Sequence, residues 1–91
     1  MTAKVVYKYE IRGDERPIQM PADATIVHVA EQDSRLMLWA EHILPDENTS
    51  VAVRKFSVFG TGHQIPFGAE YVGTFFNGPF VFHVYEILEN A

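Results

Sequence analysis

The sequence predicts a mainly β protein: a small antiparallel β-sandwich or barrel-like sheet with at most one short helix. Short apolar segments recur at roughly ten-residue spacing with turn residues between them, which is typical of small all-β domains. Several of these segments alternate apolar and polar residues, as half-buried strands do. The chain has 91 residues, enough for one hydrophobic core, so we predict a single β domain over residues 1–91.

The N-terminal third of the chain has the pattern of three strands. Lys4 to Ile11 alternates, and its apolar face consists of Val5, Tyr7, Tyr9 and Ile11. After the Gly13-Asp14 turn, Arg16 to Met20 forms a short return strand that Pro21 ends. Thr25 to Gln32 is rich in β-formers, and strict alternation groups Val27 with Val29 on one face and places Ile26, His28 and Ala30 on the other.

Residues 34–44 fit two structures. The run from Arg35 to Leu44 contains mostly good helix formers, with Ser34 as a possible cap and Pro45 as a stop, and these local signals favour a short helix. The same residues also alternate well enough to pair with Thr25–Gln32 across a tight Asp33-Ser34 turn. The residues alone leave strand and helix both open.

Three further strands follow. They are predicted over Val51–Phe59, Glu70–Phe76 and Phe80–Ile87. In the first, the apolar positions shift from odd numbers to even numbers, which predicts a β-bulge. The last is apolar on both faces, so it is predicted to lie in the middle of the fold or at a subunit contact, and we expect a homo-oligomer, most simply a dimer.

Composition excludes several classes of function. The chain has no cysteine, which rules out disulfides and thiolate chemistry. Its net charge is −5 and no basic run is longer than two residues, so we expect no nucleic-acid polymer as a partner. No apolar run is long enough to span a bilayer and no signal peptide is visible, so we expect a cytosolic protein without a membrane partner.

The loop Gly60-Thr61-Gly62-His63 is the strongest candidate for a binding site. Both glycines permit positive φ, which can gather successive N–H groups into one anion-holding concavity. Thr61 adds a hydroxyl and His63 a ring donor. Arg54 precedes this loop by six residues and is the better of the two neighbouring cations for a phosphate or carboxylate. The alternatives are a turn whose glycines serve geometry alone and an arginine paired with a carboxylate.

Aromatic residues suggest a second part of the site. His83 and Tyr85 share a face of the last strand and could form a polar patch beside an apolar wall, with Trp39 as a stacking surface. Core packing is the alternative for each. The four histidines lack metal-ligand spacing and no nucleophile or acid–base pair is evident, so we expect no metal, no cofactor and no catalytic residue.

The order of these segments resembles a family of small proteins that is frequent in bacteriophages and prophages and known only as a domain of unknown function. The resemblance covers nearly the whole chain and depends most on Leu38-Trp39-Ala40, Gly60-Thr61-Gly62-His63 and Pro79 to Glu86. It favours strand for residues 34–44 and implies a phage-associated protein of the host cytosol. The glycine loop, the nearby cations, the many aromatic residues and the absence of catalytic groups predict a non-enzymatic protein that binds a small anionic ligand such as a cyclic nucleotide. In the phage context that the resemblance implies, such a protein would sequester an immune signal of the host. The alternative is a structural or protein-interaction accessory of phage assembly.

Overall fold

The computed structural model describes residues 3–13 and 16–88, and the regular elements in those ranges are all β-strands. The mainly β prediction is confirmed. The strands are β1 (Lys4–Glu10), β2 (Ile18–Pro21), β3 (Thr25–Gln32), β4 (Arg35–Ile43), β5 (Val51–Gly60), β6 (Glu70–Asn77) and β7 (Phe80–Ile87).

Two antiparallel sheets pack face to face as a sandwich. One sheet has the strand order β1-β4-β3, and the other has the order β2-β5-β7-β6. Strand β7 is therefore interior to its sheet, which explains why its sequence is apolar on both faces. Between the sheets lie the most buried side chains of the described residues, among them Leu38, Phe56 and Val84.

Residues 35–43 are a strand, not a helix. Their even positions, Leu36, Leu38, Ala40 and His42, face the other sheet. Asp33 and Ser34 connect β3 to β4 with φ of 53° and 64°, the positive values that a two-residue type I′ hairpin turn requires. Pairing on both sides of β4 thus outweighs the helix propensity of the segment, as the family resemblance implied.

The bulges lie elsewhere than predicted. The ladders of β5 with β2 and with β7 show no register shift, so the bulge predicted within residues 51–59 is wrong. The phase change in that segment arises because Val51 and Val53 are exposed apolar residues, whereas Arg54 and Phe56 face inward.

The register shifts occur instead in β3, between Ile26 and His28, and in β6, between Tyr71 and Gly73. The first shift turns Ile26 and Val29 to the same inner face and leaves Val27 exposed, so the predicted grouping of Val27 with Val29 is wrong. The second shift brings Gly73 against Val29 of the opposite sheet. A Cβ at Gly73 would lie 2.5 Å from the Val29 Cγ2 atom, so this approach of β6 to β3 requires glycine.

Each sheet also has an outer face, which we name after its central residue. The Trp39 face carries the outward residues of the three-stranded sheet: Lys4, Val6, Lys8, Glu10, Thr25, His28, Ala30, Gln32, Arg35, Met37, Trp39, Glu41 and Ile43. The His83 face carries the outward residues of β5, β6 and β7: Val51, Val53, Lys55, Ser57, Phe59, Tyr71, Thr74, Phe76, Val81, His83, Tyr85 and Ile87.

Candidate functional site

The predicted glycine loop is a tight turn that closes the end of β5. The His63 N–H donates to the Gly60 carbonyl over 3.0 Å, and the Gly60 N–H donates to His63 Nδ1 over 3.2 Å. Gly62 has φ of 92°, the conformation that the third residue of a type II turn needs, whereas Gly60 does not have a positive φ. Two of the four N–H groups are thus engaged inside the turn, and the predicted concavity with both glycines at positive φ is not present in that form.

These hydrogen bonds fix what His63 can offer to a ligand. Because Nδ1 accepts from the Gly60 N–H, the proton of the neutral imidazole lies on Nε2, which makes that atom a donor. The ring also lies over Gly60: a Cβ there would be 3.0 Å from the His63 Cε1 atom. Glycine at position 60 therefore leaves room for the histidine ring.

An open groove of about 560 Å³ lies beside this turn. Its walls are Gly60, Thr61 and His63 from the turn and residues 79–82 from the start of β7. Phe80 is 64% exposed, and its ring centroid lies 6.3 Å from that of Phe82, which in turn stacks on Phe75 at 5.5 Å. The groove thus combines a polar turn with an aromatic wall that Phe75 supports from the core.

His83 lies on the outer face of the sheet and is hydrogen-bonded through both ring nitrogens. Its Nε2 is 3.0 Å from Thr61 Oγ1, and its Nδ1 is 3.0 Å from Thr74 Oγ1. Thr61 also donates to the Val81 carbonyl over 3.3 Å, and the Tyr71 hydroxyl lies 2.6 Å from Thr74 Oγ1. We call Tyr71, Thr74, His83 and Thr61 the His83 network.

The protons in this network have one consistent arrangement for a neutral imidazole. Thr61 has a single hydroxyl proton and gives it to the carbonyl, so His83 Nε2 must be the donor to Thr61. Nδ1 then accepts from Thr74, and Thr74 accepts from Tyr71. The network ties the turn to the sheet. It satisfies every polar side-chain atom that it contains.

Tyr85 is two residues after His83 on β7 and lies on the same face. Its ring meets Phe59 and Tyr71 edge-on, at centroid distances of 5.8 and 5.5 Å. The structure therefore places His83 and Tyr85 on one face, as the alternation predicted, and it also brings Thr61, Thr74 and Tyr71 to that face.

Arg54 lies between the sheets and not at the turn. Its Nε and Nη2 donate to the two Glu86 carboxylate oxygens over 2.8 and 2.7 Å, and its Nη1 donates to the Ala24 carbonyl over 2.9 Å. The hydrogen bond to Glu86 raises the pKa of Arg54, against the opposing effect of burial. Arg54 precedes Gly60 by six strand residues, a separation of ~20 Å. Its geometry matches the carboxylate-paired alternative.

Trp39 is also remote from the other candidates. It lies on the outer face of the three-stranded sheet beside His28, with ring centroids 5.4 Å apart. His83 and Tyr85 lie on the outer face of the opposite sheet, so Trp39 supplies no stacking surface to them within one chain.

A buried histidine was missed by the sequence reasoning. His42 is 1% exposed; its Nε2 lies 3.1 Å from the Tyr9 hydroxyl and its Nδ1 lies 3.2 Å from the Ile43 carbonyl. Burial is the main cause that raises the pKa of Tyr9, with a smaller contribution from Tyr7. The alternation of β4 was the available signal, since it places His42 on the face of Leu38 and Ala40.

The described part of the chain has neither a cluster of metal ligands nor a membrane-spanning helix. In residues 3–13 and 16–88, no group of three His, Asp or Glu side chains is arranged to hold a metal ion. The same residues contain no helix long and apolar enough to cross a membrane.

Comparison with known proteins gives the family. Residues 2–91 match the family model described as a domain of unknown function (DUF7352), and the chain belongs to that family. Neither the curated proteins nor the solved structures gave a match.

Proposed function

We propose that this member of the DUF7352 family is a non-enzymatic binding protein whose groove beside Gly60–His63 takes a small anionic aromatic ligand such as a cyclic nucleotide. The observation that carries the proposal is the groove itself, which joins three of the predicted binding residues, Gly60, Thr61 and His63, to the exposed ring of Phe80. A volume of about 560 Å³ is in the ordinary range for small-molecule sites.

Each wall of the groove suits one part of such a ligand. An exposed phenylalanine ring can stack on a base, and base–aromatic stacking contributes about 1–3 kcal/mol. His63 Nε2 donates, so it suits an acceptor such as a phosphate oxygen. No nucleophile or acid–base pair has emerged at the groove, and binding without turnover is the activity that these groups support.

The biological role in this proposal comes from the family resemblance. A phage protein in the host cytosol that binds a nucleotide tightly and does not turn it over would sequester an immune signal. Absorbance near 260 nm that copurifies with the protein would support this role.

Calorimetric titration can test the groove. A thermal-shift screen against cyclic dinucleotides and cyclic ADP-ribose species supplies the ligand, which is then titrated into the wild type, His63→Ala, Gly60→Ala and Phe80→Ala. We expect His63→Ala to weaken binding by tenfold or more, the scale of a lost charge-assisted hydrogen bond. His28→Ala is the matched control, because His28 is an exposed histidine on the Trp39 face.

Gly60→Ala tests the position of the His63 ring while leaving the histidine itself in place. The new Cβ would displace the His63 ring without backbone strain, since Gly60 does not have a positive φ. Affinity should therefore fall while the melting temperature changes little. A screen without any nucleotide that raises the melting temperature, or unchanged affinity in both His63→Ala and Gly60→Ala, would overturn the proposed site.

The second candidate function is a structural or protein-interaction accessory of phage assembly. It is favoured by the aromatic side chains on the His83 face, of which Phe76 is 73% exposed and Tyr71 is 59% exposed. Binding of the chain to another phage protein, together with a screen in which no nucleotide raises the melting temperature, would select this function.

A further inference from the structure

We propose that the His83 face is the surface through which two copies of this chain form a dimer with twofold symmetry. This inference does not depend on the proposed ligand, because it rests on the outer face of the four-stranded sheet and not on the groove.

The first observation is the composition of the face. Along a strand of a sheet with one face in water, apolar residues that face the core normally alternate with polar or charged residues that face the water. Of the twelve outward residues on β5, β6 and β7, Lys55 is the one Lys, Arg, Asp or Glu. Tyr71 and Phe76 are large and exposed on this face, and Phe59 and Tyr85 make edge contacts within it.

The second observation is that the polar groups at its centre already have partners. A buried hydroxyl or imidazole without a hydrogen bond is unfavourable, which normally keeps such groups in water. In the His83 network, every donor has an acceptor within the chain. Tyr71 donates to Thr74, Thr74 donates to His83, His83 donates to Thr61, and Thr61 donates to the Val81 carbonyl. This centre can therefore be covered by another protein surface without leaving its polar atoms unsatisfied. The Tyr85 hydroxyl lies outside the network and would need a partner at the interface.

Charge and size indicate a second copy as the occupant. The net charge of −5 would oppose self-association through a charged face, but the His83 face is almost free of formal charge, so two copies can meet there without placing like charges together. A charged foreign partner would find only the charge of Lys55 among the outward residues of this face.

The area is also sufficient. The molecule measures 44 × 35 × 20 Å, and the shortest dimension is that of two stacked sheets, so each broad face has an outline of roughly 1,500 Å² against the ~800 Å² per partner of a standard interface. A twofold axis would use the same patch on both copies, as closed dimers do.

Light scattering coupled to size exclusion tests the proposal at tens of micromolar protein. We expect the wild type to have twice the chain mass of 10.3 kDa and Phe76→Lys, which brings two like charges into the interface, to have the chain mass itself. Val6→Lys is the matched control: Val6 is also an exposed apolar strand residue, but it lies on the Trp39 face, and this variant should remain dimeric. A monomeric wild type, or a dimer that Phe76→Lys leaves intact, overturns the proposal.

Hydroxyl-radical footprinting of the wild type removes any dependence on how a variant folds. On going from dilute to concentrated protein, oxidation of Tyr71 and Phe76 should fall severalfold, while oxidation of Trp39 stays constant. Protection of Trp39 instead, or no concentration dependence at all, would contradict the proposal. Loss of the dimer in Phe76→Lys with full nucleotide affinity would separate this face from the groove.

Discussion

The two outer faces of the sandwich are built from the same strand geometry but satisfy their polar groups in different ways. On the Trp39 face, long side chains pair across strands, with Lys4 and Glu41 at 3.4 Å and Arg35 and Glu10 at 3.9 Å. On the His83 face, short hydroxyls bond to an imidazole and the rest is largely aromatic or aliphatic. Long charged side chains keep their ends in water, whereas short hydroxyls in a closed network do not require it. The comparison suggests that water covers the first face and protein covers the second.

The largest expected effect on stability comes from the Arg54–Glu86 pair, which lies between the two sheets and therefore supports both. Arg54 and Glu86 are 20% and 13% exposed and joined by two short hydrogen bonds, and Arg54 also reaches the Ala24 carbonyl just before β3. Glu86→Gln leaves the guanidinium without its counter-charge, so we expect a loss of about 3 kcal/mol in the free energy of unfolding. Urea denaturation at fixed protein concentration measures it.

Glu70→Gln is the control for that change, since Glu70 is an exposed carboxylate that acts on Arg54 only at a distance. It should cost less than about 0.5 kcal/mol. Equal losses in the two variants would mean that the Arg54–Glu86 pair does not stabilise the sandwich.

The second prediction perturbs the His83 face alone. Thr74→Val removes the hydroxyl between Tyr71 and His83, leaving His83 Nδ1 without its donor, and should cost about 1–2 kcal/mol. Thr25→Val makes the same change on an exposed residue at the edge of the Trp39 face and should cost almost nothing. If both variants melt at the wild-type temperature, the hydroxyls of the network do not contribute to stability.

The third prediction concerns the buried histidine behind the Trp39 face. The pKa of Tyr9 is raised mainly by burial, so the folded state holds this proton more tightly than the unfolded state. The free energy of unfolding therefore has its full value below the ordinary tyrosine pKa of about 10. It should fall as the pH rises above that value towards the raised pKa of folded Tyr9.

Tyr9→Phe should remove that alkaline loss while costing about 1 kcal/mol at neutral pH, because His42 Nε2 loses its 3.1 Å partner. Melting temperatures between pH 8 and about 11 measure both effects. Tyr7→Phe should retain the alkaline loss, and an unchanged pH dependence in Tyr9→Phe would count against the assignment.

Much of the fold was predictable because it depends on local alternation. The pattern of Lys4 to Ile11, the Asp33-Ser34 turn and the doubly apolar β7 all correspond to the structure. The bulges were not predictable, because the one in β6 accompanies the close approach of Gly73 to Val29 of the other sheet, 44 residues away in the sequence (73 − 29).

The candidate site was predictable only in part for the same reason. The turn residues, and the fact that His83 and Tyr85 share a face, follow from spacing along the chain. Which sheet a residue belongs to depends instead on strand order. The sequence therefore grouped Trp39 with His83, although they lie on opposite outer faces, and gave no sign that Phe80 would line a groove with His63. An inward glutamate in the apolar β7 was the available signal for the partner of Arg54.

The smallest expected effect is on the Trp39 face, and it tests whether water covers that surface. The side chains of Lys4 and Glu41 are 69% and 42% exposed, so the attraction between them is weakened by solvent and salt. Glu41→Gln should therefore lower the free energy of unfolding by no more than about 0.5 kcal/mol, and the difference from the wild type should vanish near 1 M NaCl, where the Debye length is about 3 Å. Urea denaturation at low and high salt measures the change. A larger, salt-independent loss would mean that the pair is shielded from solvent, and the contrast between a face covered by water and a face covered by protein would then no longer hold.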